Sequence, residues 1–425
     1  MSLPRLLRGV GSGPMGYDAH CREHGALEST LRGAGDGVAG TLLAEVTRSG
    51  LRGRGGGGFP LSAKLDAVRR GKRAPVVVVN GTEGEPMSVK DRMLMESLPH
   101  LVIDGAVCCA RVAGADRLII AVDASFHAAA DAMEAAVRER PEFGRDLPAP
   151  QVAIVPSGYV TGQESAVVNF LNRGDPRPTV ARPRISERGV DRRPTLMSNP
   201  ETLAHLALIA RHGAEWFRQL GSADEPGSVL VTLSGAVRAP GVYEIEYGSF
   251  LAALVEAAEG QTEPLRAFLL GGYAGGWIDA ADASGARLSE GSLRALQASL
   301  GAGIIVALPR SACPVAEVTR VAAWMSSESA GQCGPCVNGL SSIADTLADL
   351  CAGRPGRDAL ADIRRWSALV VGRGACAHPD GTVRFVASAL RVFASEFEDH
   401  ARHGLCDACE RRPVLVTPRP LTAVG

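Results

Sequence analysis

The 425-residue sequence is poor in aromatic side chains, in net charge and in long apolar runs. Phe, Trp and Tyr make up 4% of the chain. With Ala and Arg plentiful, that scarcity is a compositional bias and carries no function. A formal net charge of −1 gives no reason to expect nucleic acid or an acidic partner. The apolar runs, such as Val76–Val79 and the stretch from Arg117 to Val122, fall far short of the roughly 20 residues a bilayer requires, so no transmembrane segment is expected. The start, Met1-Ser-Leu-Pro-Arg-Leu-Leu-Arg8, lacks a long apolar core followed by a small-residue cleavage site, so no secretory signal is expected. The 10 cysteines are not spread like the disulfide framework of a small secreted domain. Cys108 and Cys109 lie in an apolar helical stretch and are expected as buried thiols in a reducing cytoplasm. Hydrophobic content of 46% fits a globular chain with ample core.

Glycine is in excess. Its 50 residues are partly clustered at Gly53–Gly58, which points to a special loop rather than low complexity. Around that loop, short β-branched runs alternate with helical periodicity. Pro75–Asn80, Arg117–Asp123 and Val152–Pro156 read as strands. Segments beginning near Thr41, Ser62, Leu98, Ser125, Glu164 and Glu201 read as helices. The alternation argues for an α/β domain over 41–222 with a mainly parallel sheet. Residues 1–40 read as a loosely packed arm. Asp224-Glu-Pro-Gly227 marks a linker, and 228–308 read as a small α+β module. Four helical segments over 310–405 suggest a bundle that holds cysteine loops at its ends. Residues 406–425 form a Cys- and Pro-containing tail.

Two stretches carry chemistry. In Ser49–Lys64 the glycines let backbone N–H groups approach an anion closely, and a helix start after Pro60 adds partial positive charge. Arg54 and Lys64 are available to neutralise a phosphate. The loop lacks the Gly-Lys-Ser/Thr ending of a nucleotide-triphosphate loop, which disfavours ATP. In Glu328–Cys336 two thiols stand at C-x-x-C spacing, and Cys376 follows downstream. A closed iron–sulfur site usually takes four thiolates. Position 330, where another Cys would complete C-x-x-C-x-x-C, holds Ala. A second C-x-x-C, Cys406 and Cys409, follows the last helix, so distance does not exclude it as a source of the substitute cluster ligand; otherwise it reads more readily as an exposed thiol pair than as a redox pair or half of a zinc site. Cys313 lies about 25 Å of helix away from Ala330 if the intervening helix is continuous.

Several motifs occur together and in order: Ser49–Lys64, Asn80–Arg92, Tyr159–Ser165, Asn199–Thr202, Gln332–Cys336, and Cys376 ahead of a helix ending at His400. In this the chain resembles the NADH-binding flavoprotein subunit of respiratory complex I and the related subunits of NAD-linked hydrogenases and formate dehydrogenases. The resemblance spans about 45–405. It implies an α/β FMN-binding domain, a ubiquitin-like β-grasp (SLBB-type) module, and a C-terminal four-helix bundle with an iron–sulfur loop. It also implies an electron-transfer flavoprotein that passes electrons from NAD(P)H, with NAD(H) as the family's substrate, through FMN and, where it assembles, a [4Fe-4S] cluster. The acceptor would be a ferredoxin-like or membrane-associated protein in a hetero-oligomer. The expected location is cytoplasmic, peripheral to the inner face of the membrane through partners. The alternative is a non-catalytic FMN-binding or assembly subunit.

Carried over position by position, the resemblance assigns Gly53, Arg54, Gly55, Lys64, Asn80, Glu83, Gly162, Glu164, Asn199 and Thr202 to FMN. It assigns Phe59 to stacking near the nicotinamide and Glu85 to the ribose of NADH. Cys333, Cys336 and Cys376 are three of the four cluster ligands, leaving [4Fe-4S] with a substitute ligand, [3Fe-4S], or no cluster. Ala67, Thr82, Gln163, Thr179, Arg182, Ser198 and Ala330 depart from the family pattern. Loss of one acid at Gln163 is expected to favour the anionic reduced flavin and raise its potential.

Overall fold

The computed structural model describes residues 3–27, 38–140, 149–180 and 182–418. The chain divides into two compact units. One holds residues 1–84, 89–231 and 243–248; the other holds 85–88, 232–242 and 249–425.

In the first unit, β1 (Val76–Gly81), β2 (Arg117–Asp123), β3 (Gln151–Val155) and β4 (Thr195–Ser198) form a sheet of order β3-β2-β1-β4. All three pairings are parallel, with Val76 opposite both Arg117 and Thr195. The run Val76–Val79 is fully buried, as expected of a parallel strand covered on both faces. The helices are α1 (Tyr17–His24), α2 (Val38–Ser49), α3 (Leu61–Arg69), α4 (Lys90–Ser97), α5 (Pro99–Ala113), α6 (His127–Glu139), α7 (Glu164–Arg173) and α8 (Pro200–Phe217). Helix α5 is buried along almost its whole length, Cys108 and Cys109 included. It crosses α8 so closely that a Cβ on Gly105 would lie 1.9 Å from the Leu203 carbonyl oxygen.

The expectation of a loose arm is corrected over residues 3–27. Arg5 stacks its guanidinium 4.1 Å from the Trp216 ring and donates to the Trp216 carbonyl at 2.6 Å. The backbone N–H groups of Arg5 and Leu6 donate to Glu244 Oε2 at 2.6 and 2.8 Å, and Leu6 is fully buried. Helix α1 is fixed by His20, whose Nε2 lies 2.7 Å from buried Asp104 Oδ2. Arg140 and Arg211 complete the neutralisation of that carboxylate.

A five-stranded sheet has the order β6-β5-β9-β7-β8, with β5 (Ser228–Gly235), β6 (Gly241–Glu246), β7 (Leu265–Leu270), β8 (Gly276–Asp279) and β9 (Ile304–Pro309). Strands β5 and β9 pair in parallel, while β7 pairs antiparallel with β8 and β9. Helix α9 (Leu251–Ala257) follows β6. The longer helices after this sheet are α10 (Pro314–Ser327), α11 (Ser341–Cys351), α12 (Ala359–Val370), α13 (His378–Val392) and α14 (Ala394–His403). The last helical segment expected from the sequence is thus two helices. They part at Phe393, whose ring is buried 5.1 Å from that of Trp277. Among the described residues no single helix is long and apolar enough to cross a membrane.

Candidate functional site

The strand order places a topological switch at β1 and β4. Strands β1, β2 and β3 proceed outward in one direction, and β4 is added on the other side of β1. In open parallel sheets the crevice beyond the carboxyl ends of the strands at such a point is where ligands bind. Asn80 stands at the end of β1, and Asn199 follows β4 as the cap of α8.

Four separate segments meet here. Asn80 Nδ2 donates to the Gly162 carbonyl at 2.9 Å, and Asn80 Oδ1 accepts from Thr82 Oγ1 at 2.5 Å. Thr82, where the family pattern has an acid, therefore orients Asn80. A Cβ on Gly162 would lie 2.4 Å from the Thr82 carbonyl oxygen, so only glycine lets this turn approach β1. The Arg54 amide donates to Thr202 Oγ1 at 2.8 Å, and Thr202 Oγ1 donates to Asn199 Oδ1 at 2.5 Å. Lys64 Nζ donates to Glu164 Oε1 at 2.6 Å and to the Met197 carbonyl at 3.0 Å. Glu83 accepts from the backbone N–H groups of Asp91 and Arg92 at 3.3 and 3.1 Å, serving the start of α4.

A buried charge network that sequence reasoning largely missed supports these groups. Lys90 Nζ lies 2.5 Å from Glu201 Oε2 and 3.4 Å from Asp91 Oδ2, and donates to the Arg54 carbonyl at 3.2 Å. Burial alone would make the Lys90 ammonium easier to deprotonate, but Asp91 and Glu201 reverse this and hold it charged. Asp91 in turn accepts from Asn199 Nδ2 at 3.0 and 2.9 Å. Glu201 Oε1 accepts from the Leu230 amide at 2.8 Å. The signal available in sequence was the Lys90-Asp91 pair beside a strand exit, which reads as an ion-paired turn.

Arg54 requires a correction. Its guanidinium is turned inward, 4.7 Å from the Tyr247 ring, and donates to Tyr247 OH at 3.2 Å and to the Ser228 carbonyl at 3.1 Å. The residue is only 4% exposed, so its guanidinium is engaged by protein partners.

The loop fits a bound group. A Cβ on Gly53 or Gly55 would meet Phe59 or Asn199 only at ordinary contact distances, and a Cβ on Gly57 or Gly58 would meet nothing within 4 Å. Gly57 has no left-handed backbone angle, so the chain's own packing does not demand glycine there. Close approach of a ligand to the backbone would demand it. Phe59 is 51% exposed beside these glycines, unusual for a large apolar ring.

Residues 46–208 match the family model of the Nuo51 FMN-binding domain, and residues 316–400 that of the NADH-ubiquinone oxidoreductase-F iron-sulfur binding region. The second of the NADH-quinone oxidoreductase F subunits of Rhizobium meliloti (strain 1021) is 32% identical over 421 residues, covering 95% of this chain and 99% of that protein. The chain belongs to the family of NADH-quinone oxidoreductase F subunits. Its counterpart in Streptomyces coelicolor (strain ATCC BAA-471 / A3(2) / M145) is 30% identical over 372 residues, covering 84% of this chain and 82% of that protein. In three dimensions the chain is similar to a subunit of an NAD+-reducing [NiFe]-hydrogenase in the H2-reduced state, with TM-score 0.84 and 29% identity, covering 94% of this chain and 67% of that one. The fold class is therefore the mixed α/β fold of these flavoproteins, with an FMN-binding domain and an iron–sulfur region.

In the second unit, the iron–sulfur region brings Cys333, Cys336 and Cys376 together. Cys336 lies in a π-helical turn (Pro335–Leu340) that leads into α11, and its amide bonds to the Cys333 carbonyl at 3.1 Å. Burial pushes the Cys333 thiol up, but N–H groups of Ala375 and Cys336 and the Cys336 side chain outweigh it, so the net shift is down. Burial and the neighbouring Cys333 push the Cys336 thiol up to about 12, with Cys376 adding to the rise. Ser329, next to the position where Ala330 replaces a cysteine, opposes this rise.

Glu85 belongs to this second unit. Its carboxylate accepts from the Tyr273 amide at 3.1 Å to each oxygen and from the Ala274 amide at 3.4 Å, and a Cβ on Gly272 would lie 2.7 Å from it. The expected ribose contact is thus already engaged with backbone.

Proposed function

We propose that the crevice at the ends of β1 and β4 binds FMN, and that the chain oxidises NADH there and passes electrons through a cluster at Cys333, Cys336 and Cys376 to a partner protein. The observation that carries the flavin assignment is the convergence of four motif segments at the switch point, beside Gly57, where neither packing nor backbone angle requires glycine. Bound FMN supplies the exchange between a two-electron hydride donor and one-electron carriers.

The residues have distinct tasks. Lys64 offers a cation for the flavin phosphate, held in place by Glu164 and the Met197 carbonyl. The backbone of Gly53–Gly58 lines the anion, and Phe59 offers an exposed ring for stacking. Asn80, Asn199 and Thr202 fix the polar floor. Glu83 organises the start of α4, and Glu85 holds the Tyr273 turn, with the donor's ribose as its assigned ligand. Cys333, Cys336 and Cys376 would hold the iron–sulfur cluster, which would supply one-electron transfer, and a non-cysteine group near Ala330 would stand in for the fourth thiolate. The sheet of 228–308 and the helices of 310–405 are assigned to an SLBB-type β-grasp module and a four-helix bundle. The partner is an electron-acceptor protein of ferredoxin-like or membrane-associated type within a hetero-oligomer.

The test is direct. Protein purified anaerobically should be yellow, release FMN on heating, and bleach when NADH is added. Protein that stays colourless after anaerobic reconstitution with FMN, iron and sulfide refutes the assignment.

A further inference from the structure

The second C-x-x-C is not an isolated surface pair. Cys313 caps the start of α10, His400 projects from α14, and Cys406 and Cys409 lie in and beside a short helical turn after it. One ligand atom from each of the four lies within 4.8 Å of all the others. Cys313 Sγ is 3.4 Å from His400 Nε2 and 3.6 Å from Cys409 Sγ. Cys409 Sγ is 3.5 Å from Cys406 Sγ and 3.9 Å from His400 Nε2.

Four of the six edges thus measure 3.4–3.9 Å and the other two lie within 4.8 Å, as four ligands of one ion require. With Zn–S of about 2.3 Å and Zn–N of about 2.0–2.1 Å, tetrahedral angles require S···S of about 3.8 Å and S···N of about 3.6 Å. A four-iron cluster places each ligand on a different metal atom, so its ligand atoms spread apart instead of converging on a point. Three thiolates and an imidazole in a closed tetrahedral set select zinc among the common ions. We infer that Cys313, His400, Cys406 and Cys409 form a structural Zn2+ site, separate from the iron–sulfur loop. On binding, the thiol protons leave to solvent and no redox change occurs.

The site has an evident mechanical role. After Cys409 the chain turns back over the second unit. The amides of Val414 and Leu415 donate to buried Glu317 at 2.9 and 3.0 Å, and Tyr273 OH donates to the Val416 carbonyl at 2.6 Å. The zinc ion staples the root of this segment to α10 and α14.

The experiment uses the full chain and metal analysis by mass spectrometry, so it does not depend on flavin binding or NADH oxidation. The expected result is about one zinc per chain, retained in Cys333→Ala/Cys376→Ala and in Cys351→Ser, and reduced at least tenfold in Cys406→Ala/Cys409→Ala. Cys351 is the informative control because it lies near enough to Cys409 and Cys406 to act on them without belonging to the four-ligand set. Cobalt added to chelator-stripped wild-type protein should give the intense absorption of a tetrahedral thiolate site. This second measurement holds even if the double variant does not fold. Trypsin should cut after exposed Arg411 at least tenfold faster in the milder Cys406→Ser variant. Zinc-free wild-type protein with a Cys406–Cys409 disulfide, iron in place of zinc at these residues, or zinc retained by the double variant would each overturn the assignment.

Discussion

Replacing Lys90 by Met tests whether the buried charge network, rather than local turn chemistry, sets the flavin crevice. Lys90 is 1% exposed and sits between Glu201, fully buried, and Asp91. Removing the ammonium leaves two carboxylates facing each other with Arg54 Nε, 4.0 Å from Glu201, as the nearest remaining cation. Breaking one partner out of a buried ion pair costs about 3–5 kcal/mol. That is a large part of the roughly 5–15 kcal/mol that stabilises a typical domain. Glu201→Gln keeps the acceptor for the Leu230 amide and should cost less, about 1–3 kcal/mol. Lys90→Met combined with Glu201→Leu removes both charges, so its cost should fall below the sum of the single changes by about 2 kcal/mol or more. Because the chain has two units, one global unfolding curve would blur the effect. Hydrogen exchange read peptide by peptide localises it to α4 and the start of α8. Flavin affinity should fall in parallel, because Lys90 also holds the Arg54 carbonyl of the glycine loop. A Lys90→Met change that alters exchange in these helices by less than about 1 kcal/mol, or strict additivity in the double variant, refutes the reasoning.

Three further outcomes follow from the same geometry. Gly57→Ala should leave stability within about 0.5 kcal/mol of wild type, since its Cβ meets no protein atom, yet weaken FMN binding at least tenfold; unchanged flavin affinity in a fluorescence titration would remove the cradle argument. Burial, with His20 and Arg211 near His24 and with Arg140 and His20 near His100, holds both imidazoles at about 4 rather than 6.5. The unfolded chain therefore binds these protons first, and stability present above pH 6.5 should drain as pH falls toward 4, by about 2–4 kcal/mol together after allowance for solvent screening. A melting temperature that is flat over that window, or equally steep in His24→Gln/His100→Gln, contradicts it. Mild oxidation of the reconstituted cluster should remove the iron that lacks a thiolate and give the EPR signal of a three-iron cluster, and Ala330→Cys should suppress that conversion. Iron content unaffected by Cys333→Ser or Cys376→Ser would show that the cluster lies elsewhere.

What could be read in the sequence follows from how local each signal is. The strands β1 and β2 announce themselves as β-branched runs, and the glycine loop as a cluster. Strand β4 is four residues, Thr195-Leu-Met-Ser198, with no alternation to betray it; it exists because β1 offers it a parallel register. Strand β8 contains Gly276 and is held by pairing to β7 in the same way. The arm reads as loose because its composition is Gly-rich, whereas its anchors, Trp216 and Glu244, lie more than 200 residues away. The same distance effect hides the inward turn of Arg54, whose partners Ser228 and Tyr247 belong to a stretch of sequence with another pattern. Motif order locates the flavin residues, but only tertiary structure separates those that face the crevice from those that build its walls.

The missing cysteine at position 330 gains its meaning from α10. That helix is continuous over Pro314–Ser327, with Cys313 at its start and the Ser329–Cys336 loop after its end. Fourteen helical residues separate the two ends by about 21 Å at 1.5 Å per residue. Cys313 has drawn Cys406, Cys409 and His400 to its own end, each within 4.8 Å of the others. None of these thiols can reach across the helix to a cluster at Cys333 and Cys336. The replacement for the lost ligand should therefore come from the loop itself, where Ser329 lies close enough to act on Cys336, or from a small exogenous ligand. Either way, in the proposed cluster the iron without a thiolate would be bound more weakly than its three neighbours. A cluster of that kind changes composition under oxidation, so electron flow through this chain should be sensitive to redox conditions in a way that a four-thiolate site would resist.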